Sequence, residues 1–374
     1  MKKYKSLITS TLYILTLFSL ALTCWFKSPT EYSFSERRVL NNFPDLNLKT
    51  VFSGEFMKDF EGYTTDQFPF RDFFKSLKAN VTFNLFHQLD NHDIYVVNDY
   101  ISKLEYPLNE SMLSNASDKF KNLYDKYIKD TNSKVYFSII PDKNYFMAKE
   151  NGYLSMNYEE LRDYMKENTS YMKYIDIFDK LELADYYRTD THWKQESIVP
   201  IAQFLNQKMN SNYLKSYNEE IVWDKQANIA LPFEGVYLGQ SLLKIQPDEI
   251  RYLTNKIIDE CKVYSYSTGK AQEIDMYNFE KAFGKDAYEM YLNGTEAIIT
   301  IKNPNATTNK KLIMFRDSFG SSLAPLMVEG YSEITLVDIR YIDSDLIDNY
   351  IKFENHDVLF IYSTILLNNS SAFK

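Results

Sequence analysis

The sequence predicts an α/β fold with a central parallel sheet, preceded by an N-terminal transmembrane helix and a helical segment. Three observations predict it. The C-terminal part alternates apolar strands at 311–315, 333–337 and 357–362 with helical stretches at 320–329 and 345–353. That alternation gives right-handed crossovers and parallel strands. Residues 135–140 form a short, largely apolar run ended by Pro141, the pattern of a strand buried on both faces. At the other end, Lys2, Lys3 and Lys5 precede an uncharged stretch from Ser6 to Phe26. About 20 residues at a rise of ~1.5 Å just cross a hydrocarbon core.

The elements follow in chain order. The positive flank should stay in the cytoplasm and place the rest of the chain outside. An uncleaved anchor is the reading preferred over a cleaved signal peptide: the run exceeds a signal core and no A-x-A site follows it cleanly. Ala21-Leu22-Thr23 is a poor match to the small residues expected before a lipidated cysteine at Cys24. Residues 28–50, with Pro29 and Pro44, read as a linker. From 54 to 87 the pattern is helical, with Phe56, Phe60, Tyr63, Phe73, Phe74, Leu77 and Val81 at helical spacing and His87 on the same aromatic face. Asp66-Gln67-Phe68-Pro69-Phe70-Arg71 separates two helices, and 90–97 turns extended. These signals divide the chain into 1–27, tip and anchor; 28–105, linker and helical N-terminal segment; and 106–374, the main domain. In that domain Phe120, Leu123, Tyr127 and Ile128 share one helix face behind Ser117 or Asp118. A helix at 158–167, a strand at 174–178 and a helix at 194–209, with Pro200 in its early turns, come next. Residues 211–300 mix Asn-rich turns with short extended pieces and read as a possible insertion.

Composition excludes some functions. A net charge of −9 argues against a nucleic-acid partner, whose phosphates call for surplus Lys and Arg. Tyr is abundant (31) against 10 Gly, which reads either as genome composition or as surface for sugar stacking. Cys24 and Cys261 support no disulfide framework, and Cys261 is expected to be an inert buried thiol.

Only four histidines offer chemistry. His87 reads as packing or surface, His92 as part of a polar turn, and His356 as exposed before the last strand. No metal-ligand spacing stands out. His192 differs, because Asp190 lies two residues before it and Trp193 directly after. In an extended loop Asp190 and His192 leave the backbone on the same side. A carboxylate there can fix the imidazole tautomer, and Trp193 can screen the pair from water. The plain alternative is that Asp190 caps the following helix and His192 packs. Ser318 stands in Phe315-Arg316-Asp317-Ser318-Phe319-Gly320, after a buried strand and before a helix. That junction faces the C-terminal edge of the sheet, where open α/β folds bind ligands. Free N–H groups at the helix start can receive an oxyanion. The plain alternative is an ordinary N-cap serine. Together the two motifs supply nucleophile, base and orienter.

Asp190-x-His192-Trp193 ahead of Asp317-Ser318-Phe319 resembles the SGNH-hydrolase-like proteins of polysaccharide O-acetylation, the group of the alginate O-acetylation proteins and the DHHW family of Gram-positive bacteria. Phe34-Ser35-Glu36-Arg37-Arg38, Phe43-Pro44 and the stretch from Asp66 to Arg71 resemble that group's N-terminal region, and 312–362 its C-terminal core. Thr191 departs from the second His often found there. The resemblance implies a three-layer α/β domain of SGNH type. It implies Ser318 as nucleophile, His192 as general base and Asp190 as its orienter, with no cofactor. It places the backbone N–H of Ser318 or Phe319 at the oxyanion, with Arg340 and Tyr362 near the substrate. The implied activity is transfer of an acetyl group to a glycan hydroxyl outside the cell membrane. The acetyl would come from a multi-pass membrane O-acyltransferase (MBOAT) partner. An acetylesterase of the same fold and a non-catalytic glycan-binding subunit are the other readings.

Overall fold

The computed structural model describes residues 2–33, 35–86, 88 and 90–374, with the backbone alone at Lys2, Lys3 and Asn84. The readings that involve Phe34 and His87 lie outside the described residues. The chain divides into two compact units, residues 1–91 with 238–244, and residues 92–237 with 245–374.

The first unit opens with α1 (Lys2–Phe26), whose stretch Tyr4–Phe26 has a mean hydropathy of 1.8 and is long and apolar enough to cross a membrane. α2 (Leu48–Ser53) starts at Asn47, whose side chain accepts from Thr50 N while Thr50 answers the Asn47 N–H, a reciprocal cap. α3 (Glu55–Asp66) and α4 (Arg71–Asn80) flank the turn at Pro69. Buried Asp66 accepts from Arg38 and from Asn41 N at 2.9 Å, and these partners hold its carboxyl down at about 2.

The second unit is an α/β domain around an eight-stranded, mostly parallel sheet. In chain order the strands are β1 (Lys134–Ile140), β2 (Lys173–Tyr174), β3 (Lys262–Ser265), β4 (Gln272–Ile274), β5 (Ile298–Lys302), β6 (Lys311–Arg316), β7 (Glu333–Val337) and β8 (Asp357–Ser363). Across the sheet they run β4-β3-β5-β7-β6-β8-β1-β2. The pairs from β7 to β2 are parallel, and those joining β4, β3, β5 and β7 are antiparallel. Alternation of side chains along each strand builds the layers. Leu312 and Met314 of β6, with Leu359 and Ile361 of β8, pack under Trp193, Ile201 and Leu205. Ile313, Phe315, Val358, Phe360 and Tyr362 face the other way, onto Phe120 of α5 (Glu110–Leu123) and Leu161 of α7. Here α6 is Lys143–Met147 and α7 is Tyr158–Asn168. Each such side chain taken fully from water contributes roughly 1.5–3 kcal/mol, so the continuous apolar runs of β1, β6 and β8 follow from burial on two faces.

Several expected elements are shorter than predicted, each for a local reason. The strand at 174–178 stops after Tyr174, because Asp176 Oδ1 accepts the Phe178 N–H at 3.1 Å and turns the chain. The helix at 194–209 starts only at Val199 (α8, Val199–Lys208), with Pro200 in its first turn. The helix at 320–329 splits into α9 (Phe319–Leu323) and a 3-10 stretch from Ala324 to Gly330, where Pro325 has no N–H to give. The helix at 345–353 is a 3-10 turn, Ser344–Asn349, capped by Asp343. Within 211–300, residues of β3 and β4 extend the main sheet, and Asn218–Ile221 pairs with Arg251–Thr254. His356 is half-buried rather than exposed, its Nδ1 2.7 Å from Glu354 O, and burial lowers its pKa. His92 is exposed in a turn with φ 56°. Cys24 and Cys261 are both free thiols, and burial pushes Cys261 up to about 12.

Candidate active site

β6 ends at Arg316 and delivers Asp317 and Ser318 to the C-terminal edge of the sheet. Asp317 is buried and fixes the turn: its Oδ1 accepts from Phe319 N at 3.1 Å and its Oδ2 from Ser363 N at 2.8 Å. Ser318 occupies the position before α9, but its side chain makes no capping bond. Its Oγ lies 2.7 Å from His192 Nε2 instead. His192 Nδ1 is 2.6 Å from Asp190 Oδ1, which also accepts the His192 N–H at 3.0 Å. Asp190 is fully buried and its second oxygen accepts from Val236 N at 2.8 Å. Since α8 begins nine residues further on, Asp190 does not cap the helix that follows it; Val236, whose N–H it accepts, is the first residue of the short helix Val236–Ser241. Ser318 is half-buried, whereas His192 and Asp190 are buried.

The loop bearing Asp190 and His192 closes on itself and is then tied from outside. Tyr187 N donates to His192 O at 3.1 Å, and Lys194 N to Asp185 O at 2.7 Å. Asp248 accepts from Arg188 N at 3.2 Å, from Thr189 N at 2.8 Å and from Thr189 Oγ1 at 2.6 Å. Fully buried Lys143 donates to Tyr187 O at 3.0 Å and Arg188 O at 3.1 Å. Burial lowers the Lys143 ammonium to about 7, against the pull of Asp190, Asp248 and Asp142. Gly235 passes so close that a Cβ there would sit 2.4 Å from Asp190 N and Thr189 O, so only glycine fits. Thr191, where the resembled group often has a second His, accepts from Tyr237 Oη at 3.2 Å through its Oγ1.

Aromatic rings wall the pair. Tyr288 stacks flat on the His192 ring, centroids 3.8 Å apart and planes 8° apart. Phe319 lies 4.9 Å from the same ring and 5.3 Å from Trp193. Buried Trp193 donates through Nε1 to Ser322 Oγ at 2.9 Å and Phe319 O at 3.2 Å, and Tyr288 Oη shares Ser322 at 2.7 Å.

Of the residues expected at the site, the structure brings Asp190, His192, Ser318, Trp193 and Phe319 together. It does not bring Tyr362: that ring is fully buried on the α5 side, stacked on Phe120 at 5.1 Å. Arg340 turns its guanidinium back onto Asp338, at 2.8 and 2.6 Å, which raises its pKa and occupies its fork. Of the two N–H groups expected at the oxyanion, that of Phe319 is engaged by Asp317. Sequence reasoning missed Lys143, Gly235, Asp248 and Tyr288. Among the described residues no group of three His, Cys, Asp or Glu could hold a metal ion.

A hydroxyl, an imidazole and a buried carboxylate in this sequence of contacts can pass a proton from Ser318 Oγ to His192 Nε2 while Asp190 stabilises the charge that forms. No protein-family model and no curated protein matches the chain. Solved structures do. A DHHW family protein from Eubacterium siraeum is 19% identical, with a TM-score of 0.60 over 76% of this chain and 94% of that one. PatB1 from Bacillus cereus is 18% identical, with a TM-score of 0.57 over 74% and 97%. PatB1 with a sulfonyl adduct gives 18% and 0.55 over 73% and 97%. At such identities the likeness is one of fold: the chain shares the α/β architecture of a DHHW family protein and of PatB1.

Proposed function

We propose that this chain is a membrane-anchored, extracytoplasmic serine O-acetyltransferase that moves an acetyl group through Ser318 onto hydroxyls of an exopolysaccharide or cell-wall glycan. The observation that carries the reading is the contact chain Asp190 Oδ1–His192 Nδ1, 2.6 Å, and His192 Nε2–Ser318 Oγ, 2.7 Å. In the first half-reaction His192 takes the Ser318 proton as Oγ attacks the donor's acyl carbonyl, and the leaving group departs with that proton. In the second, His192 takes the proton of a sugar hydroxyl, the sugar oxygen attacks the acyl-enzyme, and Ser318 leaves and is reprotonated. The backbone N–H of Ser318 is the donor offered to the tetrahedral oxyanion. α1 holds the domain at the outer membrane face, beside a multi-pass O-acyltransferase that supplies the acetyl group. Fold likeness to PatB1, which is known with a sulfonyl adduct, supports a sulfonyl fluoride as the probe of the nucleophile.

The test is incubation of the full chain with a chromogenic acetate ester and an oligosaccharide. Transfer predicts acetylated sugar, lost in Ser318→Ala. Ester hydrolysis with no acetylated sugar makes the protein an acetylesterase of the same mechanism. No turnover and no Ser318 labelling by a sulfonyl fluoride leaves a non-catalytic glycan-binding subunit.

A further inference from the structure

We infer that the unit of residues 1–91 and 238–244 carries a membrane-interface platform: Phe68, Phe70, Phe73, Phe74 and Leu77 lie in the headgroup region of the bilayer that α1 crosses. The inference rests on α1 remaining as an anchor and goes beyond it, since an anchor alone needs nothing from α4.

The aromatic face is fixed to the end of α1. Thr30 N donates to Gln67 Oε1 at 2.8 Å, Gln67 Nε2 returns to Thr30 O at 3.0 Å, and Cys24 Sγ reaches Gln67 O at 3.8 Å. Gln67 is buried, so these bonds are sheltered from water. They bring the turn Phe68-Pro69-Phe70 beside the last turns of α1. Thr23 and Lys27 share the walls of one hollow, about 440 Å³, with Phe68, Phe70 and Phe73. Thr23 belongs to the apolar span itself. The phenylalanines therefore lie at the depth where that span leaves the hydrocarbon.

Among the described residues of the unit these rings stand exposed. Phe70 is 68% and Phe73 63% exposed, like Trp25 (69%) and Phe26 (84%) at the helix end. Phe74 meets both Phe68 and Phe73 edge to face, and Leu77 follows one turn later. Water penalises such a contiguous patch, whereas phenylalanine and leucine on one face of a helix insert at the boundary between headgroups and acyl chains. Charged Asp66, Arg71 and Asp72 line the same hollow, and Glu36 accepts from Lys75 and Arg71, which hold it at about 2. α4 thus presents an apolar edge and a polar, ion-paired side, the make-up of a helix lying in an interface. Continuity with the crossing helix selects the lipid surface as occupant over a second protein.

The test uses the full chain in nanodiscs whose lipids carry bromine at a shallow acyl position. Phe70→Trp and Phe73→Trp each place a reporter on the platform at an exposed position, where the fold tolerates it. Wild-type Trp25 reports on the anchor, checked by its loss in Trp25→Phe. The expected result is at least about twofold quenching of the added tryptophan together with quenching of Trp25. Quenching of Trp25 alone overturns the platform and leaves the anchor, pointing to a protein partner or water on that face. Quenching of neither overturns both.

Discussion

Ser318 and His192 meet at 2.7 Å, yet two different kinds of structure bring them there. Ser318 is placed by regular backbone. A strand buried on both faces ends at Arg316, α9 begins at Phe319, and Asp317 between them pins the turn through Phe319 N and Ser363 N. His192 is placed by a loop whose regular structure amounts to one isolated bridge between Tyr186 and Trp193. Its position depends on side chains and backbone from elsewhere: Lys143 on two carbonyls, Asp248 on two amides and a hydroxyl, Val236 on Asp190, Gly235 against the loop and Tyr288 across the ring. A nucleophile set by backbone should be insensitive to distant substitutions. A base set by tethers should be sensitive to each of them, in proportion to what the tether holds.

The largest effect removes the meeting point itself. Ser318→Ala should lower ester turnover by about 10⁴-fold or more, because the members of a triad act as a unit. Its hydroxyl makes no capping bond, so the melting temperature should stay close to wild type. Adding His192→Ala to it should cost little more activity. A double variant much slower than either single one would mean that the two residues do not work together. Next comes Gly235→Ala. A Cβ 2.4 Å from Asp190 N must push the loop aside. Displacing a base by about 1 Å costs on the order of 10²-fold in rate, and overpacking costs about 1–3 kcal/mol of stability. Labelling of Ser318 by a sulfonyl fluoride should slow in parallel with turnover. Unchanged kinetics would show that the loop is not held where Gly235 touches it.

The same contrast explains what could be read from the sequence. The strands around Ser318 were legible because continuous apolar runs are local, and Asp190-x-His192 was legible as a pair because its spacing is local. The tethers were not, since Lys143 and Asp248 lie 44 and 59 residues from the carbonyl and amide they hold. Tyr288 sits where Asn-rich turns gave no periodicity. Tyr362, expected near the substrate, is turned to the α5 side instead. It shares parity along β8 with Val358 and Phe360, and alternation sends all three to the α5 side. Arg340 could have been paired with Asp338, two residues before it.

Lys143 makes the comparison measurable by pH. An unfolded lysine holds its proton up to about pH 10.4, whereas burial brings the folded one to about 7. Between those values the unfolded chain binds a proton that the folded chain has released. Stability contributed through this group therefore rises with pH across that window, by up to about 1.4 kcal/mol per pH unit. Lys143→Met should flatten that slope in urea unfolding between pH 7 and 10. It should also loosen the loop, lowering turnover while leaving the Ser318 turn intact. An identical slope in the two proteins would mean that Lys143 keeps an ordinary affinity for its proton.

The smallest expected effect separates the ring of Tyr288 from its hydroxyl. The hydroxyl bonds Ser322, which keeps Trp193 Nε1 at 2.9 Å if the phenol is lost. Tyr288→Phe should therefore cost no more than about 1 kcal/mol of stability and leave turnover nearly unchanged. The ring is another matter, for it lies flat on the imidazole and keeps water from one face of it. Tyr288→Ala opens that face and frees His192 to tilt away from Ser318, so turnover should fall well below the Phe variant. If Phe and Ala lose activity equally, the hydroxyl and not the ring holds the base, and the tether runs through Ser322 to Trp193 instead.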